Sequence, residues 1–194
     1  MTNAAPNIAL MAGSNRNTSI NKQLVHAVAR KFQLHGAKTQ IIEITDYDMP
    51  MFCADDDMPA NAIKLAREMT DFDGIFIATP EYNGAPPAVL KNLIDWISMV
   101  GTDHFTLPIY AVGAATPGPM SGIMAMRQLN YILGRLGCNL VPVQVGTGNA
   151  KTAFDKNGDF IDGVSNDLAS AMVEQMLARI HERALLKFRN IKAS

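Results

Sequence analysis

The fold of this chain is indicated most clearly by one polar segment, Gly13-Ser14-Asn15-Arg16-Asn17-Thr18-Ser19-Ile20-Asn21. It follows a short apolar run, Asn7 to Ala12, which is typical of a buried parallel strand. Apolar residues then recur at helical spacing from Ile20 to Val28, and they predict a helix with Ser19 as its N-cap. A helix start leaves N–H groups unpaired and carries a partial charge of roughly +0.5. A strand, a loop of small polar residues and a helix therefore favour a phosphate-binding site.

The side chains of this segment also suit a phosphate. Ser14, Thr18, Ser19 and Asn21 offer neutral hydrogen-bond donors, and Arg16 offers a planar fork that matches phosphate oxygens. The segment has one glycine and no Gly-Lys-Ser or Gly-Lys-Thr, so it is neither a dinucleotide-binding fingerprint nor a Walker loop. An ordinary polar turn is the alternative that the residues alone leave open.

A second informative segment follows another apolar strand pattern, and it reads Thr79-Pro80-Glu81-Tyr82-Asn83-Gly84-Ala85-Pro86-Pro87-Ala88-Val89-Leu90-Lys91-Asn92-Leu93-Ile94-Asp95-Trp96. Backbone N–H groups in a glycine-containing turn can approach the edge of a flat heterocycle closely, and Tyr82 offers it a planar apolar contact. A plain Asn-Gly turn is again the alternative.

Both segments resemble one known family. Gly13-Ser14-x-Arg16-x-x-Ser19-x-Asn21-x-x-Leu24 is similar to the phosphate loop of the NADPH-dependent FMN reductases, a family that includes quinone, azo-dye and chromate reductases. The segment from Thr79 to Trp96 resembles the flavin-ring loop and the following helix of that family nearly residue for residue. The likeness extends from the first strand to about Cys138.

The resemblance implies where FMN and its electron donor, NADPH or NADH, would bind. The phosphate of FMN would lie against the first segment, at Ser14, Arg16, Thr18, Ser19, Ile20 and Asn21. The flavin ring would lie against Pro80, Glu81, Tyr82, Asn83 and Gly84, with Asn83 near the reactive flavin nitrogen and no side chain acting as a nucleophile. A third contact is expected in Ala115 to Gly122, at Thr116 and Gly118. The family has a glycine-rich run there and this chain has Thr116-Pro117-Gly118-Pro119, which leaves the contacts of that loop open.

Five apolar strands alternate with helical patterns along the chain, and they predict an α/β fold with a three-layer, doubly wound parallel sheet. The flavodoxin-like strand order 2-1-3-4-5 puts the switch point between strands one and three, so the two segments meet in one crevice. One domain is expected over 1–194. The predicted strands cover residues 7–12, 39–44, 74–78, 107–113 and 139–145, and Pro142 makes the last a candidate edge strand. Ala85-Pro86-Pro87 is predicted to open the helix after the third strand, because a first turn tolerates proline.

Composition excludes several other classes of protein. The 194 residues include 17 basic and 18 acidic side chains and no basic tract, which argues against a nucleic-acid partner. No secretory signal and no bilayer-length apolar run stand out, and Cys53 and Cys138 suit a reducing compartment, so we expect a cytoplasmic protein without a membrane partner. The acidic run Asp55 to Asp57 is predicted to be a solvated loop rather than a metal site. The four histidines are scattered, which leaves hydrolysis unsupported.

The sequence therefore predicts an FMN-dependent NAD(P)H oxidoreductase that works by a ping-pong mechanism. Quinones, free flavin, azo compounds and metal oxyanions are all compatible electron acceptors. A non-enzymatic electron carrier of the flavodoxin type, or an FMN-binding module without turnover, is the alternative. The resemblance also implies self-association as a dimer or tetramer.

Overall fold

A parallel sheet with helices on both faces forms the framework of the protein. The computed structural model describes residues 4–193, with side chains up to residue 186. A short 3₁₀ turn, Ile44–Asp46, follows the second strand. The strands and helices are, in chain order, β1 (Asn7–Ala12), α1 (Ile20–Leu34), β2 (Lys38–Ile42), α2 (Ala60–Thr70), β3 (Gly74–Ala78), α3 (Ala88–Ser98), α4 (Asp103–Thr106), β4 (Ile109–Ala115), α5 (Ile123–Arg135), β5 (Asn139–Leu140), β6 (Val145–Thr147) and α6 (Gly163–Ala193).

The sheet has the strand order β2-β1-β3-β4-β5, and its pairs are parallel. Leu10 of β1, for example, lies opposite Ile41 of β2 on one side and Phe76 of β3 on the other. The chain moves outward from β1 to β2 and then returns past β1 to β3, so the switch point lies between β1 and β3. The predicted α/β class and the predicted strand order are confirmed.

The edge beyond β4 differs from the prediction of one continuous strand over 139–145. Two segments, β5 and β6, pair in succession with β4. The N–H of Val141 still donates to the carbonyl of Tyr110 at 2.8 Å, but Pro142 has no N–H with which to extend the ladder. The proline therefore divides the edge strand into two pieces without changing its position.

Alternate residues of β1 enter different hydrophobic cores. Ile8 and Leu10 pack with the helices α1 and α6, whereas Ala9 and Met11 pack with α2, α3 and α5. All four side chains are fully buried. A strand covered on both faces must be apolar at every position, which explains the unbroken apolar pattern of β1 and β3.

Several boundaries differ from the sequence prediction, including those of β4, which spans Ile109–Ala115 rather than 107–113. Two of the differences have local reasons. The Ala85-Pro86-Pro87 segment was expected to form the first turn of α3, but the helix begins at Ala88 and Pro87 is its extended N-cap, with ψ 150°. Pro86 precedes another proline and is therefore restricted to an extended conformation. The second strand ends at Ile42 rather than 44, because the chain turns into Ile44–Asp46.

The last helix, α6, supports the β4 edge of the sheet. Its residues Ala169, Met172 and Met176 are fully buried in the core shared with α1. Arg179 donates to the carbonyl of Leu140 at 2.7 Å, which attaches the short β5 to the helix. Within the described part of the chain, no helix is long and apolar enough to span a membrane.

Candidate functional site

The loops that follow β1, β3 and β4 meet at one edge of the sheet. The N–H of Gly13 donates to the carbonyl of Ala78 at 2.8 Å, so the loop after β1 begins beside the end of β3. The N–H of Thr79 donates in the same way to Gly113 of β4 at 2.8 Å. The carboxyl ends of three neighbouring strands therefore bring together loops that lie far apart in sequence.

The loop after β1, residues 13–19, is called the first loop below. Ser14 and Ser19 are buried, whereas the segment Asn15 to Thr18 is exposed. The hydroxyl of Ser14 accepts a hydrogen bond from the N–H of Arg16 at 3.3 Å. The Arg16 guanidinium has no hydrogen-bond or ion-pair partner among the described residues.

The N-terminus of α1 is open to an anion. Ser19 occupies the N-cap position with an extended backbone, but its side chain makes no capping hydrogen bond, and the first turn carries no acidic residue. The predicted N-cap position is thus correct, although the hydroxyl does not perform the capping. Free N–H groups beside an unpaired guanidinium form an arrangement that attracts phosphate.

Asn21 has a different partner from the one implied by the resemblance. Its side chain is 3% exposed, and its amide pairs with the backbone of Ala115 at the end of β4. Nδ2 donates to the carbonyl at 2.9 Å, and Oδ1 accepts from the N–H at 2.8 Å. The side chain therefore fixes the start of α1 to the end of β4. The backbone N–H of Asn21 has no acceptor among the described residues.

Gly13 permits α3 to lie close to the first loop. A Cβ at this position would lie 2.6 Å from Cδ2 of Leu90, which is below any real contact distance. The glycine at the end of β1 thus lets α3 pack against it without displacing the Leu90 side chain.

The segment after β3 forms a tight hairpin. Tyr82 and Ala85 exchange two backbone hydrogen bonds of 3.0 Å, and the two residues between them, Asn83 and Gly84, have positive φ values of 53° and 74°. These are the signs of a type I′ turn, for which Asn-Gly is a favoured pair. Residues 82–85 are called the hairpin below. The N–H groups of Asn83 and Gly84 have no acceptor within the described part of the chain, and the Tyr82 side chain is 48% exposed.

The Glu81 side chain contacts the N-terminus of α5, which the sequence did not indicate. Its Oε2 accepts hydrogen bonds of 3.1 Å from the N–H groups of Met124 and Ala125, in the first turn of α5. One turn later, Nε2 of Gln128 donates to the carbonyl of Gly84 at 2.7 Å. The glutamate lies 43 positions before its partner, so no local pattern could have indicated this contact.

The third loop, residues 116–122, is attached to the segment after β6. The N–H of Thr116 donates to the carbonyl of Thr147 at 3.0 Å, and the carbonyl of Thr116 accepts from the N–H of Ala150 at 3.0 Å. The carbonyl of Gly118 accepts from the N–H of Asn149 at 3.1 Å. Thr116 and Gly118 lie in the loop that follows β4, and their carbonyls are engaged within the protein. Residues 147–150 are a supporting segment that the sequence analysis missed.

Asn92 and Trp96 of α3 hold the segment that follows β2. Nδ2 of Asn92 and Nε1 of Trp96 both donate to the carbonyl of Pro50, at 2.9 and 2.8 Å. Oδ1 of Asn92 accepts from the N–H of Phe52 at 2.6 Å, and the Phe52 ring packs edge-on against Trp96. These two residues of the second segment therefore support a neighbouring loop. A cavity of about 410 Å³ lies between this loop, α3 and Asn15 of the first loop.

The perturbed titratable groups offer no nucleophile. Burial raises the pKa of the Cys138 thiol to about 12, which keeps it protonated. Burial and a hydrogen bond to Glu68 raise the pKa of the Tyr47 phenol well above its ordinary value. Cys53 and Asp55 to Asp57 are exposed, and the described residues contain no group of acids, cysteines and histidines that could hold a metal ion.

The fold and these three loops define a class of protein. It is the class of open α/β proteins that bind a nucleotide-like ligand at the switch point of a parallel sheet. The structure of FerB from Paracoccus denitrificans, a flavoenzyme NAD(P)H:(acceptor) oxidoreductase, has the same fold. It superimposes with a TM-score of 0.78 at 23% sequence identity, over 92% of this chain and 98% of that one.

Sequence comparison narrows the class to a family. The family model for NADPH-dependent FMN reductase matches residues 6–152, and the chain belongs to that family. The chain is 38% identical to a 2-hydroxy-1,4-benzoquinone reductase of a Burkholderia species, over 91% of this chain and 97% of that protein. It is 33% identical to an NADH:(hydroxy)cinnamate reductase subunit of Vibrio ruber, over 80% and 78%. The predicted family, the oxidoreductase activity and the cofactors FMN and NAD(P)H are confirmed.

Proposed function

We propose that the protein transfers electrons from NAD(P)H to a small quinone by a ping-pong mechanism, with FMN held across the first loop and the hairpin. The observation that carries the proposal is the juxtaposition, at one switch point, of an uncapped helix N-terminus and a turn with free N–H groups. One end of this site suits a dianion and the other suits the polar edge of a flat ring. FMN has both parts.

The first loop would hold the phosphate. The side chains of Ser14, Arg16, Thr18 and Ser19 and the backbone N–H groups of Ile20 and Asn21 are its proposed donors. Arg16 supplies the positive charge, because the helix N-terminus alone contributes only about half a unit. The Asn21 side chain takes a positioning role through Ala115.

The hairpin would hold the ring. Pro80 and the backbone of Glu81 line its approach, the N–H groups of Asn83 and Gly84 face its carbonyl and nitrogen edge, and the Tyr82 ring offers a flat contact. Asn83 is proposed as the residue near the reactive nitrogen. Thr116 and Gly118 of the third loop would form the remaining side of the flavin site.

FMN, when bound, supplies the ring that accepts hydride from NAD(P)H and passes electrons to the acceptor. The chain's own residues bind, orient and exclude water, and no side chain of the three loops has to form a covalent bond. A shared site for both substrates requires the oxidised nicotinamide to leave before the acceptor enters, which is the basis of the proposed ping-pong order.

Quinones are the acceptor class that we favour. The Burkholderia relative is described as a benzoquinone reductase, and an Escherichia coli relative, 32% identical over 90 residues, is described as a quinone reductase. The half-exposed side chains of Tyr82 and Met124 offer flat and adaptable apolar surface beside the hairpin. Free flavin, azo compounds and metal oxyanions are the other acceptors to compare.

We also propose that the chain acts as one domain that self-associates as a dimer or tetramer. Exposed apolar side chains surround the three loops and the segment after β2, among them Met51, Met120 and Met124. A second copy that covers these side chains would shield the ring from water. Sedimentation of the FMN-loaded protein tests this part.

The deciding experiment is the visible spectrum of the protein mixed with FMN under anaerobic conditions, before and after addition of NADPH or NADH. We expect bound flavin to bleach and then to be reoxidised by benzoquinone, with parallel lines in double-reciprocal plots. Bound flavin that stays oxidised would favour the electron carrier or binding module. Absence of bound flavin would overturn the proposal, and intersecting lines would overturn the ping-pong order alone.

A further inference from the structure

The N-terminus of α5 is capped from a distant part of the chain. Its own N-cap residue is Gly122, with φ 71° and no side chain, and its first turn contains no acidic residue. Glu81 supplies the missing acceptor, since its Oε2 lies 3.1 Å from the backbone nitrogens of both Met124 and Ala125. The negative carboxylate is therefore placed where the helix dipole favours it.

A second contact attaches the turn of the hairpin itself to the same helix. Nε2 of Gln128 donates to the carbonyl of Gly84 at 2.7 Å, one turn beyond the capped residues. Gly84 itself lies close to the helix, because a Cβ on it would be 4.0 Å from Cβ of Met124. The hairpin is thus connected to α5 through Glu81, the residue that precedes it, and through Gly84 of its turn.

We propose that Glu81 and Gln128 are positioning residues for hydride transfer, which make the hairpin and α5 one rigid unit. The proposal builds on the function proposed above. Neither side chain has to touch the flavin, since each acts through the backbone that it holds. Their role goes beyond stabilising a helix end, because the held backbone includes the free N–H groups of Asn83 and Gly84.

The physical reason is the accuracy that hydride transfer requires. The hairpin's own connections are its two internal backbone bonds and its attachment to β3, and neither fixes its distance from the third loop. The third loop leads directly into α5, so the contacts of Glu81 and Gln128 set that distance. A displacement of about 1 Å in a reacting geometry can cost about 10²-fold in rate.

The test uses five variants of the full chain, among them the double variant Glu81→Ala/Gln128→Ala, each loaded with saturating FMN. Glu81→Ala and Gln128→Ala each remove one contact, and Glu81→Gln keeps an oxygen of the same reach. Glu174→Ala is the matched control, because Glu174 is an exposed carboxylate of α6 without a hydrogen bond to another described residue. Stopped-flow measurement of flavin bleaching at several NADPH concentrations gives the limiting rate of reduction and the NADPH dissociation constant separately.

We expect Glu81→Ala and Gln128→Ala each to lower the limiting rate of flavin reduction about tenfold with little change in the NADPH dissociation constant. Glu81→Gln should recover most of the rate, and Glu174→Ala should leave it unchanged. The double variant should lose far less than about 100-fold, because both contacts serve one unit and their effects are not additive.

A second readout needs no cofactor. Amide hydrogen exchange, followed by NMR on the FMN-free protein, should show faster exchange at Met124 and Ala125 in Glu81→Ala, where the acceptor is lost. Exchange at Tyr82 and Ala85 should also rise, although their own partners are intact. Glu81→Gln should preserve the wild-type pattern at all four amides.

The outcomes separate the two proposals. Loaded Glu81→Ala and Gln128→Ala proteins that are reduced at the wild-type rate would make Glu81 a helix cap only, and would overturn the positioning role. If Glu81→Ala does not fold, Gln128→Ala decides, because Gln128 is exposed and contributes one bond. A wild-type protein that binds no FMN, or that NADPH does not reduce, would instead overturn the proposed function.

Discussion

The first loop and the hairpin face the same crevice but are held in opposite ways. Four consecutive residues of the first loop, Asn15 to Thr18, are exposed, and its arginine has no partner in the described part of the chain. The hairpin is closed by its own two backbone bonds and is attached to α5 through the preceding Glu81 and through Gly84 of its turn. One end of the site thus offers unpaired donors, and the other offers donors whose positions the protein already fixes.

Because of this difference, we expect the two regions to affect different quantities, FMN affinity and the rate of flavin reduction. Donors without a protein partner gain most from a bound anion, so changes in the first loop should act mainly on FMN affinity. Donors in a fixed turn contribute accuracy, so changes around the hairpin should act mainly on the rate of reduction. Asn21, two residues beyond the first loop, is an exception, because its side chain is hydrogen-bonded to the backbone at the end of β4 and stabilises the fold.

The largest effect is expected where the first loop is attached to the framework. Asn21→Ala removes both partners of the Ala115 backbone in a buried place, and should lower the free energy of unfolding by about 3 kcal/mol. Urea denaturation of the FMN-free protein measures this. Asn17→Ala, at an exposed position of the first loop, is the control. Equal stability of the two variants would mean that Asn21 is not a structural anchor.

The next effect tests the open side of the first loop. Arg16→Ala should raise the FMN dissociation constant about 30-fold, which corresponds to about 2 kcal/mol for a charge-assisted contact. The rate of reduction at saturating FMN should stay unchanged. Calorimetric titration and stopped-flow kinetics check the two parts, with exposed Arg67 replaced by alanine as the control. A lower rate with unchanged affinity would reverse the roles given to the two loops.

A smaller effect is expected in the hairpin backbone. Gly84→Ala places a side chain on a residue with φ 74° and should cost about 1 kcal/mol of stability. Gly118→Ala is the matched control, because a Cβ there meets nothing within 4 Å and its φ is not in the left-handed region. Thermal unfolding of the two variants gives the comparison. Equal losses would show that the turn is not fixed in this conformation.

The smallest effect lies far from both loops and tests the fold alone. Burial lowers the pKa of His104, against smaller raising effects of the Ile97 carbonyl and Asp103. The unfolded chain therefore takes up the proton first, and stability should fall as pH drops below about 6.5 towards the lowered value. The slope should flatten in His104→Gln and persist in His26→Gln. An unchanged slope in His104→Gln would remove this histidine as the cause.

Much of the framework could be predicted because its signals are local. The apolar runs of β1 and β3 and the helical spacing after Ser19 each occupy a few consecutive residues, and the structure has all three where they were expected. The division of the edge strand was missed in part, although Pro142 indicated an edge. The start of α3 was misplaced because the restriction that Pro87 imposes on Pro86 outweighed the tolerance of a first turn for proline.

In the candidate site, too, local features could be predicted and contacts between distant residues could not. The polar loop, the Asn-Gly turn and the family resemblance could be read from residues that are neighbours in sequence. The partners of Glu81, Asn21 and Asn92 could not, because each lies at least 40 positions away along the chain. Asn21 shows the consequence, since a residue that resembles a phosphate ligand carries a side chain that is used by the framework.

By itself, then, the sequence determined the order of strands and helices, the family and the two loops that form the crevice, because these depend on local periodicity and on turn chemistry. Tertiary structure alone decided which polar side chains stay free for a ligand and which are consumed in holding the loops. A hydrogen bond between distant residues exists only once the sheet has brought them within about 3 Å. The assignment of roles within the site therefore had to wait for the fold.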